Sequence, residues 1–186
     1  MNIVCGGDHC RDIVEIAHRL HINPTVYDDN PETGIPTPPA NLRGPLVIGI
    51  NDPSARRLIA ERFPNARAAA PLIDPSAVIG SDCHLSPGVV IGPQTVLGLA
   101  VRLAKHCHVN YSVSMTRANL GAFCTVSPGV VICGNVEIGD ECWIGAGSTI
   151  CDRVTIGNRV LVAAGAIIPP ESEVPDGAKV FGVWKP

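Results

Sequence analysis

The chain has 186 residues, 14 Lys plus Arg against 17 Asp plus Glu, a formal net charge of −3 and 4% aromatic residues. That length buries a core as one domain or two small ones; no basic patch is present to hold a phosphate backbone, and aromatics are too sparse for a base-stacking platform, which argues against nucleic acid as a partner. Asp8, Arg11, Asp12 and Glu15 fall near the start and no apolar run approaches the roughly 18 residues of a membrane span, so a soluble, cytoplasmic protein without membrane contact is expected.

Up to residue 70 the hydrophobic pattern alternates between two periods. "NIVCGG" reads as a strand, "DHCRDIVEIAHRLH" as an amphipathic helix with Ile13, Val14, Ile16, Ala17 and Leu20 inward, and "TVYDD" as a second strand. "PETGIPTPPANLRGP" is a Pro-rich loop, "LVIGI" a third strand, and "DPSARRLIAERF" a helix capped by Asp52 with Pro53 at its first position. This order predicts a small, parallel, Rossmann-like βαβαβ unit over residues 1–70, an α/β arrangement that binds ligands at the carboxyl ends of its strands. The turn "CGGDHC", with Gly7, Asp8 and His9, offers backbone N–H groups and a helix N-terminus to a phosphate there. Asp28 and Asp29 end the second strand, where a carboxylate can accept hydrogen bonds from ribose hydroxyls. Each feature alone is a common turn or loop edge; together, in this order, they point to a nucleotide. Cys5, Asp8, His9 and Cys10 are also metal-ligating residue types, but all four crowd into a turn that the phosphate reading uses differently, and no metal is expected there.

From Ile73 onward an aliphatic residue returns every sixth position, giving seven hexads to Ser114 and ten from Leu120 to Lys179. Between them lies one pentad, Met115 to Asn119, "MTRAN". Short strands joined by tight turns, three to a coil, predict six coils of a parallel β-helix over residues 71–186, whose stacking buries a column of Ile, Val and Leu. A lasting slip would turn every later aliphatic outward, so the missing residue has to be absorbed between Met115 and Leu120. Cys83, Cys107, Cys124 and Cys142 each follow a repeat aliphatic by four residues and are expected to be reduced thiols pointing inward as small core residues.

Taken together, these motifs resemble the sialic acid O-acetyltransferase and bacillosamine N-acetyltransferase family of hexapeptide-repeat acyltransferases. "GGDH" is similar to that family's Gly-rich turn, "DD" to its acidic pair and "INDPSARRLIAERF" to the stretch after its third strand, while "HVNYS", "FCTVSPGVVICGNVEIGDECWIGAGSTI" and "VPDGAKVFGV" resemble its solenoid segments. The resemblance implies a left-handed β-helix, an exception to the usual right-handed crossover, and a homotrimer with acetyl-CoA as co-substrate between neighbouring helices. It implies a nucleotide-linked amino sugar on the N-terminal unit, with Gly7, Asp8, His9, Asp28 and Asp29 contacting it, and Thr125, Ala146 and Ala164 contacting acetyl-CoA.

The family's general base is a histidine, and this sequence departs from the pattern at that position. The family's catalytic hexad falls on "MTRAN", at Arg117 counted from Val109 or at Thr116 counted back from Leu120. Arginine cannot accept a proton at neutral pH, and a threonine hydroxyl acts only when another group activates it. Because hexads three apart stack, His108 should lie beneath Thr125, one rung of about 4.8 Å from that coenzyme contact; the replacement base is then His108 or the substrate's own group. Arg117 is expected to bind a phosphate or carboxylate, or to stabilise an oxyanion. Two other readings stand beside this acyltransferase: a homologue that binds sugar nucleotide or coenzyme A without turnover, and a metal-dependent hydratase of the same fold using His84, His106 and His108, although imidazoles two residues apart do not match that branch.

Overall fold

The computed structural model describes residues 1–5 and 7–185. Its N-terminal sheet is parallel and four-stranded, built from β1 (Asn2–Cys5), β2 (Thr25–Asp28), β3 (Gly44–Gly49) and β4 (Ala66–Ala68) in the order β2-β1-β3-β4. Strands β1 and β3 read as unbroken apolar runs because both faces are covered. Ile3 and Val47 pack under α1 (His9–Arg19) with Ile13, Ile16 and Ala17, while Val4, Leu46 and Ile48 pack on the other side with Leu42 and Phe63. Helix α2 (Pro53–Arg62) starts where Asp52, in an extended conformation, accepts the Ala55 N–H at 2.7 Å, with Pro53 supplying the preset φ of the first turn. The Pro-rich segment holds a single 3₁₀ turn, Pro31–Thr33. Strand β4, "ARA", has no apolar run to announce it and was not anticipated from sequence.

From Leu72 the chain becomes a parallel β-solenoid whose two- and three-residue strands stack into sheets of six, seven and six strands. Each strand pairs in register with the strand one coil away, as in His108 with Thr125 and Thr125 with Trp143. The repeat aliphatics point inward: Ile91, Leu97, Leu103, Val109, Met115, Leu120 and Val126 are all buried. Of the four cysteines expected inside, Cys107, Cys124 and Cys142 are fully buried and Cys83 partly so. Each donates its S–H to a glycine carbonyl one coil on, at 2.9–3.0 Å, so that a polarisable small residue fills the corner without an unpaired donor.

Corners turn through one residue in the left-handed region, and these residues follow the same period: Gln94, Ala100, His106 and Ser112 are six apart, then Arg117 comes after five and Phe123 after six more. The deleted residue therefore falls between Met115 and Arg117. Pairing resumes at once, with Ala118 opposite Val136 and Leu120 opposite Ile138, and Met115, Ala118 and Leu120 all stay buried. The three outer faces differ in character. One carries Leu72, Val90, His108 and Thr125 and is covered by the N-terminal unit. A second is polar, with His84, Arg102, Asn119, Glu137, Thr155 and Glu173 in register. The third presents Val78, Val96, Ser114, Val131, Thr149 and Ile167 in register, and its four aliphatics are 42–58% exposed.

Candidate functional site

A cleft of about 770 Å³ opens at the carboxyl ends of β1 and β2, lined by Gly7, Asp8 and Arg11 on one side and Asp28, Asn30 and Glu32 on the other. Gly7 has a φ of +100°, a conformation glycine adopts without penalty, and a Cβ there would meet nothing within 4 Å, so the turn leaves open space beside the helix start. Asp8 occupies the cap position but makes no side-chain cap bond, and its carboxylate lies exposed, 4.0 Å from Arg11. Asp28 is 7% exposed and its Oδ1 accepts the Asn30 N–H at 2.9 Å. Asp29, just past the end of β2, pairs instead with Arg62 of α2. Cys5 and Cys10, considered as metal ligands from sequence, are joined as a disulfide across the turn and so supply no thiolate.

The N-terminal unit is clamped to the solenoid by Arg56, which has no exposed surface. Its guanidinium donates to the carbonyls of His106 (2.9 Å), Ile50 (2.6 Å), Asn51 (3.1 Å), Phe123 (2.7 Å) and Cys124 (3.0 Å), and to the Thr125 hydroxyl (3.0 Å). Burial lowers the Arg56 pKa to about 10, which leaves it charged at neutral pH. The Thr125 hydroxyl in turn donates to Asn51 O at 2.6 Å, so within one chain this fully buried side chain serves the interface between the two units. Directly beneath it, His108 is 1% exposed and its Nδ1 lies 3.0 Å from Nε2 of His9 on α1, while its Nε2 is buried without a partner. Burial first, then the nearby Arg56 charge, holds the pKa of His9 and of His106 down to about 4 and that of His108 well below the usual value. All three rings are therefore neutral at pH 7. His106 stacks on Phe123 at 5.1 Å between ring centres, and His84 sits on the polar face, so His84, His106 and His108 do not converge on one point.

Ala146 and Ala164 are exposed on the corner between the covered face and the apolar face. Hydrogen bonds run along this corner from coil to coil: Gly129 N–H to Tyr111 O (3.0 Å), Gly147 N–H to Pro128 O (2.9 Å) and Gly165 N–H to Ala146 O (2.8 Å). Ala146, Gly147, Ala164 and Gly165 are exposed along it, and two coils before Ala146 the same corner carries Tyr111, next to His9 and Asp12. Thr116 and Arg117 occupy a different corner, between the apolar and polar faces. Arg117 is exposed, its Nη2 3.1 Å from where a Cβ on Gly134 would stand, and the Thr116 hydroxyl reaches Leu99 O at 3.5 Å. The fold thus joins His108 to His9 and Thr125, and separates all three from Thr116 and Arg117.

The family described as the GMPPB C-terminal domain matches residues 68–174, more than half of the chain. The chain belongs to that family. No curated protein sequence matches it. The chain is similar over nearly its whole length to solved structures. One is perosamine N-acetyltransferase from Caulobacter crescentus in complex with CoA and GDP-perosamine, 22% identical over 97% of this chain and 96% of that one, with a TM-score of 0.86. WeeI from Acinetobacter baumannii AYE is 20% identical over 97% and 95%, with a TM-score of 0.81. The acetyltransferase domain of PglB from Neisseria gonorrhoeae FA1090, in complex with acetyl coenzyme A, is 24% identical over 96% and 94%, with a TM-score of 0.67. At these identities the likeness establishes a shared fold.

Sequence reading missed Arg56, the disulfide and the approach of His9 to His108. An arginine four residues after a cap, beside a second arginine, reads as a solvated helix face. Arg57 is one, reaching Glu61 and Glu141. The only hint for Arg56 is its position three residues after the buried Pro53, on one helical stripe.

Proposed function

We propose that this protein is an acyl-CoA-dependent N- or O-acyltransferase, acetyl-CoA being the co-substrate, that acts on a nucleotide-linked amino sugar in the cytoplasm. In this reading residues 1–70 form a Rossmann-like nucleotide-sugar unit and residues 71–186 a left-handed β-helix of about six coils, of the sialic acid O-acetyltransferase and bacillosamine N-acetyltransferase type. The observation that carries it is the cleft at the carboxyl ends of β1 and β2, walled by the first turn of α1, on whose other side the open corner toward Ala146 and Ala164 begins. A diphosphate at the helix start would meet Gly7, Asp8 and backbone N–H groups, and Asp28 would take a ribose hydroxyl; Asp29, paired with Arg62, would contribute less. The apolar face with Val78, Val96, Val131 and Ile167 supports a homotrimer, since a neighbouring copy would cover it. Bound GDP-perosamine and coenzyme A in a structurally similar acetyltransferase agree with this pairing of ligands.

A homologue that binds sugar nucleotide or coenzyme A without turnover is the second reading, favoured by Arg117 and Thr116 standing where the resemblance places the base. The test is transfer of a radiolabelled acetyl group from acetyl-CoA to a panel of GDP- and UDP-linked amino sugars, alongside calorimetry with each ligand. Transfer to at least one sugar is expected; binding of either ligand with no transfer to any acceptor would establish the second reading.

A further inference from the structure

The missing family histidine leaves the proton of the attacking group without a destination. His108, named from sequence, cannot receive it, since it is 1% exposed and closed off beneath α1. His9 can. Its side chain keeps 13% of its surface open, its Nε2 meets His108 Nδ1 at 3.0 Å, and its Nδ1 lies 3.9 Å from the Asp12 carboxylate, which is itself 45% exposed. Asp12 also stands beside Tyr111, whose hydroxyl pKa is pushed up by burial and by that carboxylate. These side chains stand at the start of the open corner, with Tyr111 O tied to Gly129 N–H on the next coil toward Ala146. On the chain, His9 directly follows the two cleft residues Gly7 and Asp8.

Resting on the acyltransferase reading above, the geometry points to His9 as the general base of the transfer, with His108 as its positioning residue. A sugar nucleotide whose diphosphate sits at the start of α1 projects its sugar past the first turn, where His9 and Asp12 both face the solenoid corner; of the two, His9 is the one held by a solenoid side chain, His108. When the shared proton rides on His9 Nε2 and is donated to His108 Nδ1, His9 Nδ1 keeps its lone pair. The acceptor nitrogen or oxygen of the sugar attacks the thioester carbonyl carbon, forming the new C–N or C–O bond, and its proton passes to His9 Nδ1. The tetrahedral intermediate then collapses, the C–S bond breaks with its electron pair on sulfur, and the imidazolium returns the proton to the coenzyme A thiolate. Asp12 stabilises the imidazolium while it exists; burial first, then the Arg56 guanidinium on α2, oppose it, which keeps His9 neutral at rest, and the neighbouring rings of His106 and His108 are themselves neutral.

His9→Ala should lower kcat by about 10²–10⁴-fold, the usual range for losing a general base, and added imidazole should restore part of it. Binding of both substrates by calorimetry should change less than about threefold, well under the factor of 10 that 1.4 kcal/mol represents. His9→Gln, which keeps a polar side chain at the helix start, should be as inactive as His9→Ala. His108→Phe should lower kcat while leaving the KM values for both substrates unchanged. Wild-type turnover that survives in both His9 variants would overturn this assignment and leave the acyltransferase reading standing. Loss of turnover without imidazole rescue, accompanied by a fall in melting temperature in both variants, would make His9 structural and also overturn it. No turnover by wild-type protein with any acceptor would remove the acyltransferase reading itself, and this assignment with it.

Discussion

Arg56→Met tests whether one buried side chain locks the two units together. The substitution keeps much of the volume but withdraws six hydrogen bonds. Three of the acceptors keep a donor or a partner: Cys124 O still receives the His108 N–H, and Asn51 O and the Thr125 hydroxyl still bond one another. The carbonyls of His106, Ile50 and Phe123 have no other donor among the described residues. A buried polar group left unpaired costs about 1–3 kcal/mol. Taking the lower half of that range for three groups, because water can enter a loosened interface, gives a loss of roughly 4 kcal/mol. At about 2–4 °C per kcal/mol for a chain of this size, the melting temperature should fall by roughly 12 °C. Arg56→Lys should cost about half as much, since an ammonium concentrates its three donors on one atom and cannot span the acceptors as a guanidinium does. Urea unfolding followed by circular dichroism, with calorimetry for the melting temperature, reads both. If Arg56→Met unfolded within about 1 kcal/mol of wild type, a typical single-site change, the guanidinium would not be the clamp and the buried carbonyls must be satisfied by water.

Three further outcomes are expected. The pKa values of His9 and His106 are lowered to about 4, and that of His108 is lower than usual as well, so the unfolded chain binds more protons than the folded one between pH 6.5 and 4; stability should be full above pH 6.5 and fall as the pH drops through that window, and His106→Phe should flatten the fall in urea-unfolding free energy measured across it. Val131→Asp, at the middle of the exposed apolar face, should convert a trimer to monomer by light scattering while circular dichroism keeps the solenoid signal; a wild-type monomer at micromolar concentration would remove the trimer. Asp28→Ala should weaken sugar-nucleotide binding by about 1.5–3 kcal/mol, the range for a hydrogen bond to a charged group, and leave coenzyme A binding unchanged by calorimetry.

The helix starts, the repeats and the shortened coil were legible in the sequence because each is set by neighbouring residues. Asp52 and Pro53 mark the start of α2 through bonds within three residues, and the six-residue return of aliphatics restates at each corner the same inward side chain and left-handed turn. The same local rule placed the missing residue of "MTRAN" and set His108 beneath Thr125, since in a solenoid sequence separation converts directly into stacking. What lies between the two units had no such rule. His9 and His108 are 99 residues apart and Arg56 and Thr125 are 69 apart, and neither pair repeats, so no period or spacing announces them. Only the docking of α1 and α2 onto one solenoid face decided that Thr125 is buried, that His108 is sealed and that His9 remains open, because burial there depends on the surface another unit happens to cover.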